Sequence, residues 1–252
     1  VAGAGWSWPV TYAAVLSAHG AAERFNAIQI GPAAIAFGFG APERFAVAFG
    51  LAVAGGTIVA AIVLLRAIRV PFERFAAAAA LVPLVAGFFH EHDLIVAFPA
   101  AAWCAFNARG STRILATIGT LFVAIDWLGL AQRPTGMLQS ALLAAAVLCT
   151  VVALTDVKEA RALLGAGLSV VALLGTAAWL GSTHPAPVWP DALGGFHAAA
   201  TLSAAAVWNA EQHVTGLDAR EPVWALLRAL SLLGCALLAA SVYRSVLAEK
   251  GS

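Results

Sequence analysis

The sequence predicts an all-α fold: a polytopic transmembrane helical bundle of about seven to eight spans, preceded by an interfacial or re-entrant N-terminal segment. Three observations carry this. Hydrophobic residues make up 62% of the 252-residue chain, and Asp, Glu, Lys and Arg only 11%. Mean hydropathy is +0.88, too apolar for a domain that faces water on all sides. Several apolar runs approach the roughly 20 residues that a helix needs to cross a bilayer core. The strand-by-strand alternation of a membrane β-barrel is absent.

The elements follow in order. Residues 1–44 are mixed in character, and Gly31-Pro32 and Gly38-Phe39-Gly40 interrupt them, so they read as an external loop with an interfacial or re-entrant helix. Residues 45–252 read as the bundle, and the whole chain as one membrane domain. Apolar runs place spans at residues 45–65, 74–89, 94–108, 113–130, 137–154, 162–180, 193–208 and 223–246. The spans that meet at His90–Asp93 are the shortest, which predicts broken or tilted helices there. The chain opens Val1-Ala2-Gly3-Ala4-Gly5 with neither Met nor a cleavable signal, and it reads as N-terminally truncated.

Glu-Arg-Phe recurs at Glu23, Glu43 and Glu73, and Pro42 and Pro71 precede the second and third copies. Unequal spacing excludes a structural repeat. Pro followed by Glu is capping chemistry for a helix start. Cys104, Cys149 and Cys235 stand singly in apolar runs and read as buried free thiols. A net charge of +1 offers no electrostatic footprint for nucleic acid.

Basic residues set the orientation. Arg66, Arg69 and Arg74 flank one connection, Arg109 and Arg113 the next but one, and Lys158 and Arg161 the next but one again, with Arg220 continuing the series. The positive-inside rule puts this set in the cytoplasm. His19, His90, His92, His184 and His197 then fall at the outer face, with Trp127, Trp179 and Trp189. Trp208 and Trp224 fall opposite, and His213, Glu211, Asp218 and Glu221 read as a solvated inner loop. Eight crossings would strand Arg244 and Lys250 outside. The scheme therefore requires either that residues 193–208 do not cross or that the C-terminus is an exception.

Chemistry concentrates in His90-Glu91-His92-Asp93, four ionisable groups between apolar runs. Ionisable groups are costly at membrane depth and mark function there. Histidine can hold a metal, a proton or a phosphate, and the carboxylates can act as bases or ligands. His184 or His197 could complete a metal set, but the spacing matches no zinc signature. The expectation is therefore no cofactor, a divalent metal being possible without support from ligand spacing. Asp126, inside a span, is either paired to a neighbour or lines the cavity of Asp93. In Glu23–Gln29, Arg24 can bind phosphate bidentately, and Asn26 and Gln29, three apart, can hydrogen-bond sugar hydroxyls. His184, Trp189 and Asp191 lie in a Pro-rich loop where an aromatic beside a carboxylate suits a sugar face.

With these residues in place, the chain resembles the GT-C integral-membrane glycosyltransferases, in particular the bacterial polyprenyl-phosphate-mannose-dependent α-mannosyltransferase-like branch. The resemblance runs over residues 12–155: a polar stretch with Phe25-Asn26-x-x-Gln29, a Gly-rich break, a span ending in arginines, and a second span closing in an acidic motif. The family's Pro-Tyr-x-x-x-Tyr-Asp-Leu type motif corresponds to Gly87–Leu94. Asp93 and Leu94 match it directly and Glu91 stands where a second acid is common, while Gly87, Phe88 and His92 replace the proline and the two tyrosines.

The resemblance implies transfer of a hexose such as mannose from a polyprenyl-phosphate donor to a glycolipid or polysaccharide acceptor, at the outer face of the plasma (inner) membrane, with membrane lipids as the other partner. Asp93 and Glu91 are then the catalytic candidates. His90, His92, Arg24, Asn26, Gln29, Asp126, His184, Trp189 and Asp191 are the substrate-binding candidates. The family usually carries its catalytic acid in a first external loop that this chain lacks, so the resemblance also implies a C-terminal portion of a larger enzyme. A transporter, a metal-dependent membrane enzyme and a non-catalytic membrane subunit are the rival readings.

Overall fold

The computed structural model describes residues 5–130, 136–154, 160–183 and 194–251. These are helical throughout, apart from connections and one isolated antiparallel bridge between Gln29 and His90. The helices are α1 (Trp8–Ala22), α2 (Pro32–Gly38), α3 (Glu43–Ala67), α4 (Pro71–Val85), α5 (Phe98–Asn107), α6 (Gly110–Trp127), α7 (Met137–Leu154), α8 (Ala160–Thr183), α9 (Ala204–Thr215) and α10 (Pro222–Gly251), with a 3-10 helix (Glu91–Ala97) between α4 and α5.

α10 is the axis of the fold. It packs along α6 and also against α4, α2 and α5. Small residues allow the close approach: a Cβ on Gly234 would lie 2.6 Å from the Gly119 carbonyl oxygen, and one on Gly38 would lie 2.8 Å from the Ala225 Cβ. Tight crossing at small residues is how helices gain van der Waals contact where water provides no drive. Leu232, Cys235, Leu238 and Val242 of α10 enter one apolar core with residues of α4, α5 and α6, and Trp224 and Leu227 enter a second with α6 and α8.

Two helices, α3 and α10, are long and apolar enough to cross a membrane among the described residues; α7 and α8 carry shorter apolar stretches. By this measure the seven or eight spans read from the sequence are not reached. α4, with 15 residues, is about 22 Å long at ~1.5 Å per residue, short of a ~30 Å hydrocarbon core. α3 is the informative one. None of its most apolar window is buried in the protein, and Phe45, Phe49, Leu51, Val59 and Val63 all face outward. One side of α3 packs on α2 and α4, and the apolar side left open suits lipid.

After a 3-10 turn at residues 194–195, residues 196–203 form no helix, and α9 begins only at Ala204, where the Ser203 side chain accepts the Ala206 N–H. The span read over residues 193–208 is therefore absent, which resolves the conflict over the C-terminus. Asp126 meets Arg228 while Gly119 meets Gly234, so α10 runs antiparallel to α6. Arg244 thus lies at the end that holds Arg109 and Arg113. Arg220 moves the other way: its guanidinium sits 4.0 Å over the Phe37 ring of α2. Trp208 and Trp224 also belong to the His90 end, as does the His213–Asp218 segment, whose Leu217 carbonyl accepts the Ala27 N–H. Among the thiols Cys104 and Cys235 are buried, whereas Cys149 is exposed.

Candidate functional site

The site begins with two backbone segments that pair where α4 has ended. The Ile30 N–H donates to the Phe89 carbonyl at 2.7 Å, and the Phe89 N–H donates to Gln29 Oε1 at 2.8 Å. This tie presents the next residue, His90, to the connection between α1 and α2. Past His90 the chain tightens into the 3-10 helix, whose first turn is closed by the His90 N–H donating to Asp93 Oδ2 at 3.0 Å.

His90 is the hub. Its Nε2 lies 3.2 Å from Glu23 Oε2 and 3.1 Å from Gln29 Nε2. Glu23 Oε2 is also 3.4 Å from His19 Nε2. Phe88 packs edge-on against the His90 ring at 4.6 Å, and Trp208 packs edge-on against His19 at 4.3 Å. On the other side of His90, the His92 ring stacks at 5.3 Å with an interplanar angle of 14°. His92 Nε2 lies 3.5 Å from Asp93 Oδ1, and His90 Nδ1 lies 3.9 Å from Asp93 Oδ2. The depth is graded: the His90 and Glu23 side chains are 13% and 15% exposed, Asp93 40% and His92 73%.

The hub holds a conflict. Gln29 spends its carbonyl oxygen on Phe89, so its NH₂ must face His90 Nε2, and that contact requires a lone pair there. Glu23 at the same nitrogen requires an N–H. A neutral imidazole carries one or the other at Nε2, not both, so the two neighbours favour different tautomers of His90.

A groove of about 600 Å³ adjoins the hub. Its walls are apolar, from Leu16 of α1, Val47 and Leu51 of α3 and Leu84 of α4, and its polar lining includes Arg24, Gln29 and Ser17. Gln29 and Phe88 belong both to the groove and to the surroundings of His90. Arg24 is exposed, and no carboxylate pairs with it among the described residues.

The remaining candidates lie elsewhere. Asn26 is buried, and its Oδ1 accepts the Ile28 N–H at 3.0 Å, so its carbonyl shapes the local turn. Asp126 is buried between α6 and α10, ion-paired to Arg228 and accepting a 2.6 Å bond from Ser231. Its polar partners, Arg228 and Ser231, are both on α10. Glu91 is turned inward: its Oε2 is buried without a hydrogen-bond partner, and its charge is within electrostatic reach of Arg228. His184, Trp189 and Asp191 lie outside the described residues.

Sequence reasoning missed Glu23, His19, Arg228 and Ser231. For Glu23 a signal existed. Glu43 and Glu73 open α3 and α4 beside prolines, as capping requires. Glu23 has no such proline and stands at the C-terminal end of α1, where an acid opposes the helix dipole. The capping explanation fails for that copy. No family model, curated protein or solved structure matches the chain.

Proposed function

We propose that this chain is the membrane domain of a glycosyltransferase that moves a sugar from a polyprenyl-phosphate donor to a lipid or polysaccharide acceptor at the outer face of the plasma membrane. The observation that supports the reading best is the groove. Its apolar walls suit an isoprenoid tail, Arg24 at its polar end suits the phosphate, and Gln29 and Phe88 join that end to a cluster of histidines and a carboxylate. A substrate half lipid and half sugar phosphate calls for this combination, with the tail left in the bilayer and the reacting bond at the membrane surface.

The chemistry divides among named groups. The leaving phosphate gains negative charge, which Arg24 stabilises. The acceptor hydroxyl must lose a proton, and Asp93, more open than Glu91, is the carboxylate able to accept it. His92, exposed beside Asp93, hydrogen-bonds the acceptor. Glu91 stays inside, its charge facing Arg228 of α10 rather than the acceptor. The positive-inside rule puts the arginine-rich end, with Arg66, Arg69, Arg109 and Arg244, in the cytoplasm and the His90 end outside.

A photoreactive polyprenyl phosphate, presented to the chain in nanodiscs, tests this. Cross-links are expected on α1 and α3 around Leu16 and Leu51, with at least tenfold weaker capture by R24Q. Capture no better than that of a neutral polyprenol, or unchanged in R24Q, rejects the reading and favours a non-catalytic membrane subunit.

A further inference from the structure

We propose that His90, His92 and Asp93 form a binding site for a divalent transition metal of the zinc type, with Glu23 as its outer carboxylate. This inference does not rest on glycosyl transfer, since metal can be bound whether or not sugar moves; an ion held by His92 and Asp93 would take the place of the roles of those two side chains in that reaction.

The ligand atoms are already gathered. One atom from each of the three residues lies within 4.8 Å of the other two. Asp93 turns one carboxylate oxygen to each ring, Oδ1 to His92 Nε2 at 3.5 Å and Oδ2 to His90 Nδ1 at 3.9 Å, against the ~3.3 Å between ligands around a tetrahedral ion with ~2.0–2.1 Å bonds, so the rings must turn out of their stack to converge on one ion. His92 must close the remaining distance. Its side chain is 73% exposed, so leaving the stack on His90 costs it only that ring contact, and solvent leaves room for the turn. Two imidazoles and a carboxylate form a borderline donor set that selects zinc-like ions over Mg²⁺ and Ca²⁺, which prefer all-oxygen surroundings.

Glu23 provides the second, independent observation. A metal-bound histidine usually donates its other ring N–H to a carboxylate, which fixes the ring and raises its basicity. With Nδ1 turned toward Asp93, His90 presents Nε2 to Glu23 at 3.2 Å, and Glu23 is braced in turn by His19 at 3.4 Å. A metal on Nδ1 would replace the Asp93 backbone N–H that the His90 side chain accepts, and would keep the same tautomer. An ion on Nδ1 leaves the proton on Nε2, where Glu23 accepts it, and the Gln29 amide keeps only its bond to Phe89. Three protein ligands leave a fourth position open toward the exposed side of His92, the arrangement of a site that binds water or substrate.

The experiment is metal binding by the whole chain, purified in detergent on a histidine-free tag, stripped with chelator and dialysed against Zn²⁺ or Co²⁺. One ion per chain is expected, with Co²⁺ giving the visible absorption of a four-coordinate site and a hundredfold excess of Mg²⁺ failing to displace it. H92A and D93N should abolish this binding. Both residues are partly or largely exposed, so the fold should survive, as circular dichroism would verify. E23A should weaken binding by about 10- to 100-fold, and E23Q, whose amide oxygen can still accept from His90, by less. H213A, on the separate His213–Asp218 pair, should bind as wild type. Substoichiometric metal, or stoichiometric metal that persists in H92A and D93N, overturns the proposal.

Discussion

Asp126 and Arg228 form an ion pair buried between α6 and α10, and Ser231 holds the second carboxylate oxygen at 2.6 Å. The side chains are 0% and 3% exposed, so neither charge can turn to solvent when its partner is lost. Removing one member of such a pair typically costs about 3–5 kcal/mol, because the other is left buried and uncompensated. D126A and R228A should each lower thermal stability in detergent by that order. The double variant D126L/R228M should recover most of the loss, since apolar replacement of a whole buried pair is near neutral. A double variant no more stable than the singles would show that Arg228 mainly answers Glu91, whose charge it also senses.

The α6–α10 crossing leaves no room at Gly234, where an added Cβ would lie 2.6 Å from the Gly119 carbonyl oxygen and 2.8 Å from Phe122 Cβ. Two backbones must separate to admit one methyl group. G234A should destabilise by about 1–3 kcal/mol, the range for overpacking, and G234L should prevent folding. Gly55 on α3 is the control, because a Cβ there meets nothing. G55A should be neutral or slightly stabilising, since alanine loses less backbone entropy in a helix. Equal thermal shifts for G234A and G55A would contradict the crossing.

Much of this architecture was legible in the chain, and its failures have one cause. Long apolar runs located α3, α7, α8 and α10 within a few residues, and the charged insertion at His90–Asp93 marked a break between helices. Sidedness after residue 193 was not legible. An alanine-rich stretch has enough hydropathy to pass for a span, yet residues 196–203 form no helix and α9 starts only after the Ser203 cap. Crossing parity is cumulative, so one false span inverted Arg220, Trp208, Trp224 and His213 together. At the candidate site, residue type alone singled out Arg24, Gln29, His90, His92 and Asp93, which the fold draws near one another. Glu23 was not among them, although its copy of Glu-Arg-Phe lacks the proline that precedes Glu43 and Glu73, because the shared tripeptide carried one capping explanation over to all three. Nor was Arg228, because an arginine with an acidic partner more than a hundred residues away carries no local pattern.

Gln29 is the joint between the α1–α2 connection and the 3-10 helix. It is 3% exposed, and its Oε1 accepts the N–H of Phe89, itself 6% exposed. Q29A should leave that N–H buried without a partner, at a cost of about 1–3 kcal/mol. Q29E keeps the acceptor for Phe89 but buries a second carboxylate beside Glu23 at His90, so it should recover only part of the loss. Amide hydrogen exchange is the direct measurement: protection at Phe89 and Ile30 should fall in Q29A while α10 stays protected. Loss of protection across α10 as well would mean that the joint supports the whole bundle.

α3 tests the bilayer placement. Val59 is 64% exposed in the middle of a 25-residue apolar helix, whereas Ala46 on the same helix is fully buried. If lipid covers the outer face, V59R puts a charge near mid-membrane, which costs about 2.5–3.5 kcal/mol in insertion measurements. Insertion of α3 in a glycosylation-mapping assay should drop accordingly, while V59L should insert as wild type. An arginine tolerated at position 59 would place water, or another protein, against this face.

The direction of α10 makes the last prediction, because it assigns sides to residues far apart in sequence. α4 rises to His92, α5 returns to Arg109, α6 rises to Asp126, and α10 starts beside Asp126 and descends. His92 and Ala219 therefore belong to one end, and Arg69 and Arg109 to the other. All four are exposed, so cysteines placed there can react. In a background without native cysteines, H92C and A219C should react together with a membrane-impermeant maleimide on intact cells. R69C and R109C should react only after permeabilisation, as the positive-inside rule requires. Should A219C label with R109C instead, α10 would have to run parallel to α6, and the Asp126–Arg228 and Gly119–Gly234 contacts could not coexist.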